Sequence, residues 1–320
     1  MGLGLALGSG QAPAAGKMRI AMVVKALGIG FFDAAHRGGE EAAKQLGIDL
    51  IYTGPTTTTA EAQIDTINSL IAQHVNAIAI SANDTDALVP SLKKAMRRDI
   101  TVVSWDSGVA PAGREAHLDP SSVKLIGETL VKLAAQPIDG KGDIAILSST
   151  PTATNQNAWI AAMKPALASQ PGLKLVATVY GEDLADRSYR ETVTLLQAHP
   201  DVKVIVAPTS IGIVAAAQAI DDQHKVGQVF VTGLGLPSEL VGHVMKGSVQ
   251  SFAIWNPVDL GYGAVYLAFD IASGKVKPAP GKSVSLGRLG SRTFGDNNLL
   301  VLGPPKVYDK ANVEAAAKIF

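Results

Sequence analysis

The chain has 320 residues, 47% of them hydrophobic and 18% charged, with 28 Lys plus Arg against 28 Asp plus Glu and no cysteine. That length suits two cores better than one, and the zero formal net charge argues against a phosphate backbone or an anionic membrane as partner. Lack of cysteine excludes Cys-based zinc sites, catalytic thiols and disulfides, and no stretch of ~18–20 uninterrupted apolar residues offers a membrane span.

Residues 1–17, MGLGLALGSGQAPAAGK, are small and apolar. Ala12-Pro13-Ala14 fits a signal-peptidase site with cleavage after Ala14, although no Lys or Arg precedes Lys17. The segment reads as a signal-peptide remnant or a disordered extension. From Met18 onward, runs rich in Val and Ile predict buried parallel strands at 19–24, 49–53, 77–81 and 101–105. Segments of helical period lie between them at 33–46, 60–74 and 87–98; in the second, Ile64, Ile67, Leu70 and Ile71 fall on one face. Gly47 is a helix stop, and Thr56–Thr59 a loop with an N-cap.

The pattern then repeats. Helices are expected at 121–135, 157–168, 188–198 and 211–221, and strands at 143–148, 174–180, 203–207 and 228–232. A strand at 250–255 and a helix at 258–272 follow, then turns and extended chain over 274–290 and a terminal helix at 311–319. Alternating strands and helices predict an α/β protein of two doubly wound parallel-sheet lobes, with a cleft between them.

Ligands of open parallel sheets bind beyond the carboxyl ends of the strands. The residues there are Lys25, Phe31 and Phe32; Trp105 and Asp106; Asn155 and Gln156; Pro208 and Ser210; Leu234; and Trp255 and Asn256. Aromatic faces can pack on the C–H face of a sugar ring while amides and charged groups fix hydroxyls. A single Lys and no Arg suits phosphate poorly. Each residue also has a plainer reading: Lys25 as a surface lysine, Asp106 as a turn former, one of Asn155 and Gln156 as an N-cap, and one of Phe31 and Phe32 as core, so that only one of the two reaches a ligand. Lys25 and Asp106 are expected to pair when no ligand is bound.

Other chemistries find little support. Gly28-Ile29-Gly30 and Gly233-Leu234-Gly235 each lack the third glycine of a dinucleotide fingerprint, with Asp33 and Ser238 in its place. The six histidines show no H-x-x-x-H or H-E-x-x-H spacing and no G-x-S-x-G elbow occurs. No cofactor, metal or catalytic set is expected.

Seven motifs carry a resemblance: VVKALGIGFFDAAHRG at 23–38, AISANDTDALVPSLKKA at 79–95, VVSWDSG at 102–108, ATNQNAWIAAMK at 153–164, APTSIGIVAAAQA at 207–219, TGLGLPSE at 232–239 and FAIWNPVDLGY at 252–262. The chain resembles the type I periplasmic binding proteins for sugars, nearest to the L-rhamnose-binding proteins of ABC transporters and next to the autoinducer-2 receptors. The resemblance implies lobes joined by a three-crossing hinge near Asp119, Gln250 and Leu286: residues 18–119 plus 251–286 in one lobe, 120–250 plus 287–320 in the other. It implies a periplasmic monomer that closes around a small sugar and docks onto an ABC transporter permease, with no nucleic-acid partner and no enzymatic activity.

By position, Lys25 and Asp106 match residues that hold ligand hydroxyls in the autoinducer-2 receptors, and Gln156 matches one of an Asp-Gln pair whose Asp is Asn155 here. Pro208 matches a residue whose backbone faces the ligand, and Ser210 replaces an Ala. The acid expected in ribose-binding proteins is missing, with Gly235 in its place, so the Leu234-Gly235-Leu236 wall favours a 6-deoxy sugar. The alternatives are an autoinducer-2 or small polyol receptor. A LacI-like repressor core is disfavoured because only seventeen residues precede the first strand, too few for the expected helix-turn-helix.

Overall fold

The computed structural model describes residues 16–320; the expected cleavage site at 12–14 lies outside the described residues. In the first half, β1 (Arg19–Val23), α1 (Gly30–Leu46), β2 (Asp49–Thr53), α2 (Ala60–Ala72), β3 (Ala77–Ile80), α3 (Val89–Met96), β4 (Thr101–Trp105) and β5 (Ala116–Asp119) follow one another. The second half holds α4 (Val123–Ala135), β6 (Gly142–Ser148), α5 (Thr154–Ala168), β7 (Leu173–Tyr180), α6 (Ala185–Ala198), β8 (Val202–Ala207), α7 (Ser210–Asp222), β9 (Phe230–Gly233) and α8 (Pro237–Lys246). The chain ends with β10 (Ser251–Ile254), α9 (Pro257–Ala272), β11 (Ser283–Ser285), β12 (Ser291–Thr293), β13 (Leu299–Val301), β14 (Lys306–Asp309) and the short α10 (Val313–Ala316).

Two parallel sheets result. The first has the order β13-β5-β4-β3-β1-β2 and the second β7-β6-β8-β9. Helices cover both faces of each, so the central strands read as continuous apolar runs; all four residues of β3 are buried. In each sheet the strand order reverses beside the first strand of the lobe, between β1 and β3 and between β6 and β8. These switch points splay the connecting loops apart and open a crevice at the strand ends. The α/β class with two doubly wound lobes is as the sequence implies.

Strand pairing moves two of the expected crossings. β10 pairs antiparallel with β14 in a small two-stranded sheet, and its Ala253 bridges Leu234 beyond β9, so residues 251–254 belong to the second lobe. The chain returns to the first lobe at Trp255–Asn256, where α9 begins. β13 pairs in parallel with β5, so the first lobe runs on past Leu286 to Val301, and the last crossing falls at 302–305. A lone strand at 250–255 does not reveal its partner in sequence; the register Ser251↔Asp309 to Ile254↔Lys306 does.

Several elements were not expected, among them β5, α8 and the late strands β11 to β14. β5 is only four residues, with His117 and Asp119 interrupting its apolar pattern. α8 starts at Pro237, whose fixed φ suits a first helical turn, and stops at Gly247 with φ 93°. The terminal helix is shorter than expected. Elsewhere Gly47 caps α1 with φ 68°, and Thr59 caps α2 by accepting from the Ala62 amide.

α1 and α9 pack closely in the first lobe. A Cβ on Gly38 would lie 1.8 Å from the Val258 carbonyl oxygen, and one on Gly261 would lie 1.9 Å from that of Ala35. Glycine alone permits this approach. It sets the N-terminal ends of the two helices side by side, with Phe31 edge-on to Trp255 at the cleft.

Candidate functional site

The first lobe supplies two buried charges, Lys25 at 4% exposure and Asp106 at 5%. Lys25 follows β1 and Val24. Its carbonyl accepts from Asn83 Nδ2 at 2.9 Å, and the buried Gln63 ties that loop down by donating to Val24 (3.1 Å) and Ser81 (2.8 Å) carbonyls and accepting from the Asn83 amide (2.9 Å). Asp106 follows β4 in the left-handed region at φ 57°, a conformation that costs a non-glycine residue on the order of 1 kcal/mol and recurs at functional sites. Ser81 Oγ donates to its Oδ2 at 2.8 Å. Burial pushes the Asp106 carboxyl above the usual carboxylate range, against the opposing pull of Lys25, Ser81, His117 and Asn155.

The second lobe answers with amides and hydroxyls. Asn155, at the start of α5, accepts from Lys25 Nζ (2.8 Å) and donates to Asp106 Oδ1 (3.2 Å). The expected direct pairing of Lys25 with Asp106 is thus replaced by an amide relay from the other lobe. An Asp at 155 could accept from Lys25 but could not donate to Asp106 while ionised. Gln156 Oε1 accepts from Ser148 Oγ (2.7 Å) and the Ser149 amide (2.6 Å), which leaves its amino group for the cleft. Pro208 follows β8, Ser210 opens α7, and Thr209 between them caps that helix.

These residues meet in a cleft between the lobes. Ten of the twelve expected residues are on its wall: Lys25, Phe31, Phe32, Asp106, Asn155, Gln156, Pro208, Ser210, Leu234 and Trp255. Both Phe31 and Phe32 line it, not one alone. Trp105 does not. It is fully buried behind Phe32, with ring centroids 5.8 Å apart. Asn256 does not line it either, since its side chain caps α9 by accepting from the Val258 and Asp259 amides.

Sequence reading missed Ile29, Trp159, Asp183, Thr209 and Ile254. Asp183 was within reach of the strand-end rule, since it follows β7 by three positions. Trp159 lies a turn into α5, where that rule does not extend; its ring packs edge-on to Trp255 at 5.5 Å. Gly235 proves to face the core: a Cβ there would meet Leu240 at 2.6 Å and Ile213 at 2.8 Å. Leu234 is therefore the residue this loop turns to the cleft, and with Ile29 and Ile254 it supplies the apolar wall.

The lobes touch around the cleft. Thr58 Oγ1 donates to the Glu182 carbonyl (3.0 Å), Thr85 and Thr154 share a hydroxyl bond (2.9 Å), and Thr152 Oγ1 reaches the Asn83 carbonyl (3.4 Å). Trp255 Nε1 is buried with no hydrogen-bond partner. Among the described residues no group of three or more His, Asp or Glu is placed to hold a metal, and no helix is long and apolar enough to cross a membrane.

Residues 20–276 match the family model described as a periplasmic binding protein domain. An ABC transporter solute-binding protein from Clostridium phytofermentas, solved with bound L-rhamnose, is 34% identical, superposes with a TM-score of 0.92, and is matched over 96% of this chain and 100% of its own. The D-ribose/D-allose-binding protein of Pseudomonas aeruginosa is 28% identical over 229 residues, 68% of this chain and 70% of that protein. LsrB from Clostridium saccharobutylicum in complex with AI-2 shares the fold, with a TM-score of 0.88 at 23% identity over 93% of this chain and 99% of its own. These relatives are solute-binding proteins, not enzymes. The strand-end cleft and the family match agree: this chain belongs to the periplasmic binding protein domain family, as a sugar-binding protein of an ABC transporter.

Proposed function

We propose that this protein captures L-rhamnose, or a closely related 6-deoxy sugar, between two closing lobes in the periplasm and delivers it to its permease as a monomer. The observation that carries the reading is the pairing of a charged relay, Lys25–Asn155–Asp106, with an apolar wall of Leu234, Ile254 and Ile29 in one cleft. Buried charges that grip hydroxyls reject a ligand lacking them, while an apolar wall favours a methyl over a hydroxymethyl group. Aromatic side chains from both lobes, Phe31, Phe32 and Trp159, suit the C–H face of a pyranose. The similarity to the L-rhamnose-bound protein of Clostridium phytofermentas points the same way.

In this reading Lys25 donates to ligand oxygens and Asp106 accepts from ligand hydroxyls, with Asn155 and the Gln156 amino group completing the grip. Cross-lobe hydrogen bonds hold the closed form, and closure is a hinge motion at the three crossings. Calorimetric titration of ligand-stripped protein with L-rhamnose, D-ribose, D-allose and the autoinducer-2 precursor tests it. The expected result is saturable 1:1 binding of L-rhamnose at a Kd on the order of micromolar or tighter, with the others at least about tenfold weaker. Preference for any of the other three would displace the 6-deoxy reading in favour of that ligand.

A further inference from the structure

We infer that Asp183 is the carboxylate through which the second lobe holds the ligand, the counterpart of Asp106 in the first; the inference rests on the sugar reading above. Asp183 lies on the cleft wall at the end of β7. It and Glu182 both adopt left-handed conformations, with φ 52° and 56°, and Asp106 has φ 57°. Each lobe therefore bends its chain unfavourably just past a strand end to carry one carboxylate into the same cleft. Two consecutive non-glycine residues in this region persist only where the surroundings hold them. Here the Gly181 and Glu182 amides donate to the Ser148 and Ser149 carbonyls, both at 2.9 Å.

The partners of Asp183 leave it ready to accept more. Ser149 Oγ donates to Oδ2 at 2.6 Å and Thr209 Oγ1 donates to Oδ1. An ionised carboxylate has about four acceptor sites, so two hydroxyls fix its orientation and leave the rest unfilled. No ion pair among the described residues involves it. The nearby Arg187 turns instead to Glu182 (2.6 Å) and Glu191 (3.9 Å). A carboxylate held rigidly by neutral donors beside a cleft is suited to a neutral ligand with hydroxyls to donate.

The same turn touches the first lobe, because the Glu182 carbonyl accepts from Thr58 Oγ1. A ligand on Asp183 would therefore brace a turn that also makes a closing contact.

The test is titration of wild type, Asp183→Asn and Asp183→Ala with the sugar that wild type binds tightest, and with its single-deoxy analogues. Thermal unfolding without ligand checks that each variant is folded. Asp183→Asn keeps the shape and removes the charge, and the expected loss of affinity is about 10- to 100-fold. One deoxy analogue should bind wild type weakly yet bind both variants almost as well as the parent sugar does, which identifies the hydroxyl that Asp183 accepts from. Folded variants that bind within about twofold of wild type overturn the inference, as does a loss that is equal for the parent sugar and every deoxy analogue, the mark of a positioning role. Wild type that binds no sugar at all overturns the sugar reading and this inference together.

Discussion

The two lobes build their halves of the cleft from different materials. The first lobe contributes a cation and an anion, both nearly inaccessible, with the loop that carries Lys25 locked by Gln63 and Asn83. The second contributes mostly neutral groups: Asn155, Gln156, a threonine and a serine at the start of α7, and the apolar Leu234. Buried charges are costly unless fully partnered, so the first lobe's half tolerates few changes. Neutral hydrogen-bonding groups and an apolar wall can be exchanged at lower cost. The difference suggests a division of labour in which the first lobe secures a polyhydroxylated ligand and the second chooses among sugars.

The largest expected effect comes from breaking the first lobe's half. Asp106→Ala leaves Lys25 buried with only Asn155 beside it, and should weaken sugar binding by more than about 100-fold, roughly 3 kcal/mol. In the second lobe, Gln156→Ala removes neutral hydrogen bonds and should cost about tenfold, roughly 1.4 kcal/mol. Titration calorimetry on the pair compares the lobes directly, and equal losses would erase the proposed asymmetry.

A smaller effect should appear with pH. The Asp106 carboxyl is raised above its ordinary value of 3.8, chiefly by burial. Protonation turns one of its oxygens into a donor and removes the charge that strengthens acceptance from ligand hydroxyls, so affinity should fall as pH is lowered, by roughly 2- to 10-fold, ahead of the ordinary carboxylates. Stability of the unliganded protein responds to this group in the opposite sense. A carboxyl with a higher pKa folded than unfolded binds protons more readily when folded, so its stabilising contribution is complete at low pH and is lost as pH rises through the folded value. Asp106→Asn should flatten both profiles, as read by titrations and thermal unfolding across pH.

Much of this cleft was legible in the sequence because parallel sheets place ligand residues by rule. Val and Ile runs gave the strands, and the positions after them gave Lys25, Asp106, Asn155 and Pro208. The failures have local causes. Trp105 and Asn256 occupy strand-end positions, but packing behind Phe32 and capping of α9 claimed their side chains. Pairing of β10 with β14 and of β13 with β5 joins residues far apart in the chain, which no periodicity encodes. The relay through Asn155 depends on how one lobe meets the other, and strand-by-strand reading carries no such information.

The most direct test of the account is the affinity ratio of L-rhamnose to L-mannose, which differ only in a methyl against a hydroxymethyl group, measured in wild type and Leu234→Ser. The account expects wild type to favour L-rhamnose by about 10- to 100-fold and Leu234→Ser to bring the ratio to within about threefold of unity, with Lys25 and Asp106 undisturbed. A wild-type preference for L-mannose, or a ratio unmoved by the substitution, would contradict the role given to the apolar wall.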